Sequence, residues 1–215
     1  MAKAIGLMGE SGSGKTTSFR NLEPKTTFFI DGDKKGLNWK GWKNQYSKEL
    51  GNYVSTDNPS IVLQCLDHLN NDDKLKHFKT VIIDTINGIM VAEEMRNIKQ
   101  TGYGKWTDLA AYIYNIADYA LKMRDDITVI LVAHSETISD DNGQVFTRIR
   151  TNGRKLEKIV LESKLTTVLL ADIKDGKHIF HTQADRSTVK TPLGAFDTDI
   201  IENDMAIVLK ALEEF

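Results

Sequence analysis

The sequence predicts an α/β fold in which a mostly parallel sheet is flanked by helices. Short apolar segments with strand-like composition alternate with segments whose apolar residues recur at helical spacing. A complete glycine-rich phosphate-loop pattern also stands between the first apolar segment and the first possible helix. The chain has 215 residues, 40% hydrophobic and 27% charged, which suits one domain with a substantial core. We therefore expect residues 1–215 to form a single domain.

The first element is an apolar strand at residues 4–8, followed by the sequence GESGSGKT at residues 9–16. This segment meets every fixed position of the pattern G-x-x-x-x-G-K-[ST]. Glycines let several backbone N–H groups point at one anion, and a helix predicted over residues 15–22 would add its N-terminal dipole. We expect Lys15 to reach the β- and γ-phosphates of a nucleotide, and the Thr16 hydroxyl to bind Mg²⁺. The predicted nucleotide contacts are Gly9, Glu10, Ser11, Gly12, Ser13, Gly14, Lys15, Thr16 and Thr17.

The alternative is a glycine-rich turn that ends in a solvated lysine. The agreement of all fixed positions and both flanking segments disfavours it.

The remaining elements follow in an alternating order. Strands are predicted at 26–30, 80–84 and 128–134, and helices at 61–69 and 107–123, the first after an Asn-Pro cap. Past the fourth strand, β-like segments at 144–149, 164–173, 177–182 and 187–190 predict an antiparallel C-terminal extension, and a helix at 201–214 ends the chain. The least structured spans are expected at 34–58, 97–106 and 135–153.

Three polar residues follow predicted strands, where parallel sheets place their ligand-binding groups. Asp84 ends an apolar strand and is the expected carboxylate on the metal side. Asp33 is a candidate to orient the attacking water, and His134 a candidate to sense the terminal phosphate. Each has a structural alternative: a strand-ending cap for Asp84, a turn aspartate for Asp33, and a histidine that satisfies loop backbone groups for His134.

Composition excludes several classes of protein. The formal charge of −2 argues against a strongly basic nucleic-acid coat, although a local basic face is compatible with it. The single cysteine cannot form an internal disulfide, and no Cys/His cluster has zinc spacing. No apolar stretch is long enough to span a bilayer and no signal peptide is recognisable. We expect a soluble, cytoplasmic protein with no membrane partner.

The ordered segments GESGSGKTT, FFIDGDKKGL, TVIIDT, VILVAHSE, GRKLEKIVLESKLTTVLLADI and TVKTPLGAF resemble the ATPase core of the RecA/recombinase class. They are especially similar to the short RecA-like proteins of bacteriophages that act in recombination and single-strand annealing. The resemblance implies a RecA-like P-loop NTPase fold, ATP and Mg²⁺ as ligands, and a catalytic carboxylate at Asp33, where the family usually has glutamate. It also implies a phosphate sensor at His134.

The resemblance further implies contacts beyond the nucleotide. Lys190, with Arg186, matches the basic residues of a late strand that reach a neighbouring subunit's nucleotide; a solvated strand lysine is the alternative. The N-terminal filament-forming segment of full-length recombinases is not matched, so we expect self-association either to use another surface or not to occur. Two loops, 96–106 and 135–155, match those that bind single-stranded DNA, although residues 147–151 equally suit the solvent face of an edge strand. The DNA candidates are Lys105, Trp106, Arg148, Arg150, Arg154 and Lys155.

Two other functions fit the same phosphate loop. A kinase for a small molecule or nucleotide would need an arginine-rich lid, which Arg148, Arg150 and Arg154 resemble. A nucleotide-dependent interaction module with little hydrolysis would suit the short side chain of Asp33. A GTPase is disfavoured because no N-K-x-D segment occurs.

Overall fold

The computed structural model describes residues 3–99, 104–139, 143–151 and 160–215, with the backbone alone for residues 104–110. The strands are β1 (Lys3–Gly9), β2 (Thr27–Asp31), β3 (Tyr53–Ser55), β4 (Thr80–Asp84), β5 (Thr128–Ser139), β6 (Val145–Ile149), β7 (Thr167–Lys174), β8 (Lys177–His181) and β9 (Ile200–Glu202). The α-helices are α1 (Pro59–Asn71), α2 (Ile86–Arg96), α3 (Gly104–Lys122) and α4 (Met205–Ala211).

The described strands form one nine-stranded sheet in the order β3-β2-β4-β5-β1-β7-β8-β9, with β6 paired to β5. The strands from β3 to β7 in that order run parallel, whereas β8 and β9 are antiparallel to their neighbours. The predicted α/β class, with a mostly parallel sheet and an antiparallel C-terminal extension, is confirmed. β5 lies between the phosphate-loop strand β1 and the acidic strand β4.

Apolar residues cover both faces of the sheet because successive strand residues point to opposite sides. On β4, Ile83 belongs to a core that packs under α1, α2 and α3, whereas Ile82 belongs to a second core. The second core includes Phe19 after the phosphate loop and Val208 of α4. The sheet is therefore the middle layer, and its strand ends are held by packing on both sides.

The segment after the phosphate loop differs from the predicted helix at 15–22. A short 3-10 helix spans Thr16–Phe19 instead. Consecutive hydroxyl side chains share the backbone acceptors here: the Gly14 carbonyl accepts from Thr17 Oγ1 and from the Ser18 N–H, each at 3.0 Å, and the Lys15 carbonyl accepts from Ser18 Oγ at 2.6 Å. Such side-chain bonds compete with the regular helical ladder. A long helix dipole is thus not available at this loop.

The spans expected to be least structured contain regular elements. β5 continues past residue 134 and pairs with β6 in a hairpin, with Thr137 opposite Thr147, so most of the described part of 135–153 is strand. The predicted C-terminal helix is shorter, because β9 precedes it and Asp204 caps α4 by accepting from the Ala206 N–H at 2.9 Å. The predicted strand at 187–190 forms only isolated bridges. No helix in the described ranges is long and apolar enough to cross a bilayer.

Candidate functional site

The strand register brings the ends of the central strands to one edge of the sheet. Gly9, at the end of β1, lies opposite His134 of β5 and Ala171 of β7, and Asp84 lies opposite Val132. A cavity of about 240 Å³ opens at this edge. Its lining includes Ser11, Gly12, Gly14, Lys15, Thr16, Thr17, Lys35, Asn38, Asp84, Thr85, His134 and His178. Residues far apart in the sequence therefore share one space.

The phosphate loop owes its shape to glycines with left-handed backbone conformations. Gly12 has φ 85° and Gly14 has φ 96°, values that side chains other than glycine rarely adopt. A Cβ atom on Gly14 would also lie 2.9 Å from Nδ1 of His178. The backbone of this loop therefore lies against the His178 side chain of β8, where a side chain at position 14 would collide with it.

Lys15 closes the loop on itself. Its ammonium donates hydrogen bonds to the carbonyl oxygens of Gly9 at 2.8 Å and Glu10 at 2.7 Å. Burial lowers the pKa of Lys15 to about 8, and the nearby Asp84 carboxylate opposes that shift. The side chain is still mostly charged at neutral pH, so it can exchange the loop carbonyls for an anion that enters the cavity.

Asp84 and Thr16 form the acidic side of the cavity. The Thr16 hydroxyl donates to Asp84 Oδ2 at 2.6 Å, and Asp84 is only 3% exposed. Burial raises the pKa of Asp84 to about 6, and the bond from Thr16 opposes the shift. The other oxygen, Oδ1, is buried without a hydrogen-bond partner among the described residues. An unpaired buried carboxylate oxygen has a strong tendency to accept a ligand.

This donor set fits Mg²⁺. The ion is usually bound through one or two carboxylates, substrate phosphates and several waters, rather than by a cage made only of protein. Within the described residues, no group of three or more His, Cys, Asp or Glu side chains stands ready to hold a metal. Thr16 Oγ1 and the free oxygen of Asp84 are the groups that would hold Mg²⁺ or its waters beside a bound polyphosphate.

Asp33 lies behind the cavity. Its Oδ1 accepts from the Thr85 hydroxyl at 2.7 Å, and its Oδ2 pairs with the Lys35 ammonium at 2.5 Å. Thr85 and Lys35 both line the cavity, whereas Asp33 is not part of the lining that the described residues form. The neighbouring Asp31 is structural, because it accepts from the Gly36 N–H at 2.8 Å.

His134 is tied to two other elements. Its backbone N–H donates to Asn87 Oδ1 at 2.7 Å, and its carbonyl accepts from the Arg150 N–H at 2.7 Å. Asn87 Nδ2 completes the triangle by donating to the Arg150 carbonyl at 2.9 Å. Burial and the positive charge of Lys15 lower the pKa of the His134 imidazole, which is therefore mostly neutral at neutral pH.

Comparison with known protein families agrees with this geometry. A family model described as an AAA domain matches residues 1–191, which include the phosphate loop, β4 and the whole cavity lining. The protein belongs to the AAA domain family. It is accordingly a nucleotide-binding domain of the P-loop ATPase type. None of the curated proteins matches the sequence.

The DNA candidates of the AAA domain fall in three groups. Arg148 and Arg150 lie on or next to the β5–β6 hairpin; Arg148 pairs with Glu136 at 2.8 Å across the strands, and Arg150 is exposed. Lys105 and Trp106 stand in the first turn of α3, where the structure describes only the backbone. Arg154 and Lys155 lie outside the described residues. The hairpin is thus the part of the predicted DNA surface whose side chains have a defined position.

The two basic residues predicted to act on a neighbouring subunit lie away from the cavity of their own chain. Lys190 exchanges both backbone hydrogen bonds with Val168, at 2.7 and 3.0 Å, and Val168 lies opposite Gly6 rather than Gly9. Arg186 has φ 50°, and its carbonyl accepts from the Thr147 N–H at 2.8 Å. Their proposed role in a second subunit remains a prediction.

Several residues of the site escaped the sequence reasoning. Lys35 and Asn38 come from the span that was expected to be least structured, and Thr85 and His178 also line the cavity. His178 lies on β8, in a segment for which the sequence predicted only a strand. Asn87 is a polar residue that is only 6% exposed in the first turn of α2, a helix that the sequence patterns did not predict.

Proposed function

We propose that this AAA domain binds ATP with Mg²⁺ and hydrolyses it. The observation that carries the proposal is the bond between Thr16 and Asp84, which line the cavity together with Lys15 and leave the second, buried Asp84 oxygen without a partner among the described residues. A nucleotide site needs a cation for the phosphates and oxygen ligands for the metal, and both are present within one small space. The choice of ATP follows the family and the resemblance to recombinases.

The residues divide the work by their chemistry. Lys15 exchanges two loop carbonyls for phosphate oxygens, which are stronger acceptors because they are charged. Mg²⁺ bound at Thr16 and Asp84 would neutralise charge on the phosphates. The neutral imidazole of His134 can donate a hydrogen bond from its N–H to the terminal phosphate. Asp33 supplies the carboxylate that orients the attacking water, and it reaches the cavity edge through Thr85.

Calorimetry with ATP and Mg²⁺, followed by a phosphate-release assay, tests this proposal. Replacing the carboxylate in Asp84→Asn should weaken Mg²⁺-dependent binding and abolish turnover. Asp73→Asn is the matched control, because Asp73 is exposed and pairs with Lys76 in a surface turn, away from the cavity lining formed by the described residues. The proposal fails if the parent protein binds no nucleoside triphosphate, or if both variants release phosphate at the parent rate.

We further propose that ATP controls binding of single-stranded DNA, as in the phage-type recombination and annealing proteins that the sequence resembles. The triangle of His134, Asn87 and Arg150 supports this link, because it ties the part of β5 that lines the cavity to the exit of the β5–β6 hairpin. Arg150 offers an exposed cation there for the DNA backbone. Coupling of this kind is reciprocal, so DNA should also tighten ATP binding.

Fluorescence anisotropy of a labelled single-stranded oligonucleotide, with and without a non-hydrolysable ATP analogue, tests the DNA link. Arg150→Ala should weaken binding and flatten its dependence on salt. Lys74→Ala is the control, since Lys74 is exposed in the turn that leads into the opposite end of β4. Affinity that is the same with and without the analogue would refute the link, even if the protein hydrolyses ATP.

We also propose self-association that places Lys190, with Arg186, against the nucleotide of a neighbouring subunit. The support is the resemblance to recombinases, together with the position of both residues away from their own cavity. An ATPase rate per subunit that rises with protein concentration, and falls in Lys190→Ala, is the expected result. A rate independent of concentration would contradict the proposal.

A further inference from the structure

The sequence DGDKKG at residues 31–36 forms a turn with a defined shape directly after β2. Lys34 has φ 56° and Gly36 has φ 77°, so the backbone reverses sharply on both sides of Lys35. Asp31, buried at 2% exposure, fixes the turn by accepting from the Gly36 N–H at 2.8 Å and the Tyr53 hydroxyl at 2.6 Å. Lys35 is therefore held in place by its backbone and is not part of an unstructured loop.

The turn directs Lys35 to the nucleotide cavity, whose lining it shares with Lys15, Thr16 and Asp84. Its ammonium rests 2.5 Å from Asp33 Oδ2. Partial burial opposes the shift, but the bond to Asp33 raises the pKa of Lys35, so the side chain is charged. The charge of Lys35 in turn helps to lower the pKa of Lys15 and of His134. Lys35 thus acts electrostatically on the same groups that surround a bound phosphate.

We infer that Lys35 binds the terminal phosphate of the nucleoside triphosphate, and that Asp33 holds its ammonium until that phosphate arrives. The inference rests on the proposed function and names a second lysine, from the same chain, for the same site. Both lysines of the cavity then follow one rule: each is paired with an internal acceptor that an entering phosphate replaces. For Lys15 the acceptors are loop carbonyls, and for Lys35 the acceptor is Asp33.

The movement of the Lys35 ammonium from Asp33 to the phosphate also changes the hydrogen bonding of the Asp33 carboxylate. While the ammonium is bound, Oδ2 of Asp33 is occupied and Oδ1 accepts from Thr85, so both oxygens of the carboxylate are engaged. When a terminal phosphate takes the ammonium, Oδ2 becomes free to accept a hydrogen bond from water. A diphosphate lacks the group that draws Lys35 away. The carboxylate is therefore released by the triphosphate and not by the diphosphate.

The lysine side chain is 55% exposed, which leaves it free to move between the two partners. Water reaches the Lys35 end of the ion pair, and ion pairs that water reaches contribute little to stability, so Asp33 does not hold Lys35 tightly. A phosphate with more than one charged oxygen is the stronger acceptor. If the Lys35–Asp33 pair were only a surface salt bridge, its loss would leave the affinities for the triphosphate and for the diphosphate unchanged.

The experiment compares, by calorimetry with Mg²⁺, the affinities for a non-hydrolysable ATP analogue and for ADP. Lys35→Ala should lower the affinity for the triphosphate by about tenfold or more, since charged hydrogen bonds contribute that much, and leave the ADP affinity within about twofold. Lys35→Arg should keep most of the preference for the triphosphate. Lys34→Ala is the matched control, because this neighbour pairs with Asp57 at 2.7 Å and is not among the described cavity-lining residues.

Asp33→Asn provides a second, opposite test. Without the carboxylate the ammonium is released, so triphosphate affinity should rise by several-fold, and the rise should disappear in the Asp33→Asn, Lys35→Ala double variant. Thermal melting confirms that each variant is folded. The inference is overturned if Lys35→Ala loses affinity equally for the ATP analogue and for ADP, or loses affinity for neither. In that case nucleotide binding by the parent protein still supports the proposed function. A parent that binds neither nucleotide would overturn both.

Discussion

The protonation of Asp84 predicts how nucleotide binding depends on pH. Its pKa is raised to about 6 by burial, and the carboxylate must be ionised to hold Mg²⁺ or its waters. A metal favours the ionised form, so binding displaces a proton wherever the unbound carboxyl is protonated. Affinity is therefore fully present above pH 6 and is lost as the pH falls through that value.

The magnitude follows from the ionised fraction. With a pKa of about 6, the ionised share of Asp84 falls from about 97% at pH ~7.5 to about 9% at pH ~5. Mg²⁺-dependent affinity should therefore drop about tenfold over this range, which is about 1.4 kcal/mol. Lys15 contributes little to the change, because its pKa of about 8 keeps it mostly charged throughout.

The assay is calorimetric titration with the ATP analogue at both pH values, in parallel for the parent and for Asp84→Asn. Phosphate groups themselves titrate near pH 6, so the ligand contributes its own pH dependence. That contribution is common to both proteins and cancels in the ratio of their affinities. We expect the ratio of parent to variant affinity to fall about tenfold from pH ~7.5 to ~5. Identical pH profiles for the two proteins would refute the assignment of Asp84 to the metal.

The remaining predictions concern the loop and its link to the hairpin. Gly14→Ala should abolish nucleotide binding in calorimetry, because it adds a close contact at 2.9 Å to the strain of a positive φ. In Gly12→Ala the added Cβ meets nothing within 4 Å, so this variant should bind nucleotide more tightly than Gly14→Ala. The reverse order of affinities would contradict this account. Lys15→Ala should weaken triphosphate binding by about ten- to a hundredfold, because charged hydrogen bonds to phosphate are lost, and an unchanged affinity would exclude its role. Asn87→Ala should lower the free energy of unfolding by about 1–3 kcal/mol in urea titration. The reason is the loss of the hydrogen bonds that join α2 to the backbone at His134 and at the hairpin exit. A change below about 0.5 kcal/mol would contradict this.

Two parts of the site are encoded by neighbouring residues in the sequence and could be predicted from it. The phosphate loop is specified by contiguous residues, and the strand that ends at Asp84 by a short apolar run, so both were predictable. The fold class followed from the alternation of strands and helices. The position of β5 between β1 and β4 depends on long-range pairing, which no local pattern contains.

The parts that escaped prediction depend on backbone geometry and on contacts between distant segments. Lys35 enters the cavity because Lys34 and Gly36 adopt positive φ, and nothing in the sequence KKG alone requires this. Asn87 gains its role only when β5 and the hairpin exit lie next to α2. The expected helix after the loop was replaced by a short 3-10 helix, in which hydroxyl side chains share carbonyl acceptors with the backbone.

β5 runs unbroken through Thr128–Ser139, from the middle of the sheet to the outer hairpin. Its inner half pairs with β1 on one side and β4 on the other, and its outer half pairs with β6. A displacement of the outer half of β5, where it pairs with β6, is therefore transmitted through one continuous strand to β1 and β4, which end at the phosphate loop and at Asp84. A molecule bound to the paired strands of the hairpin would therefore act on both sides of the nucleotide cavity at once.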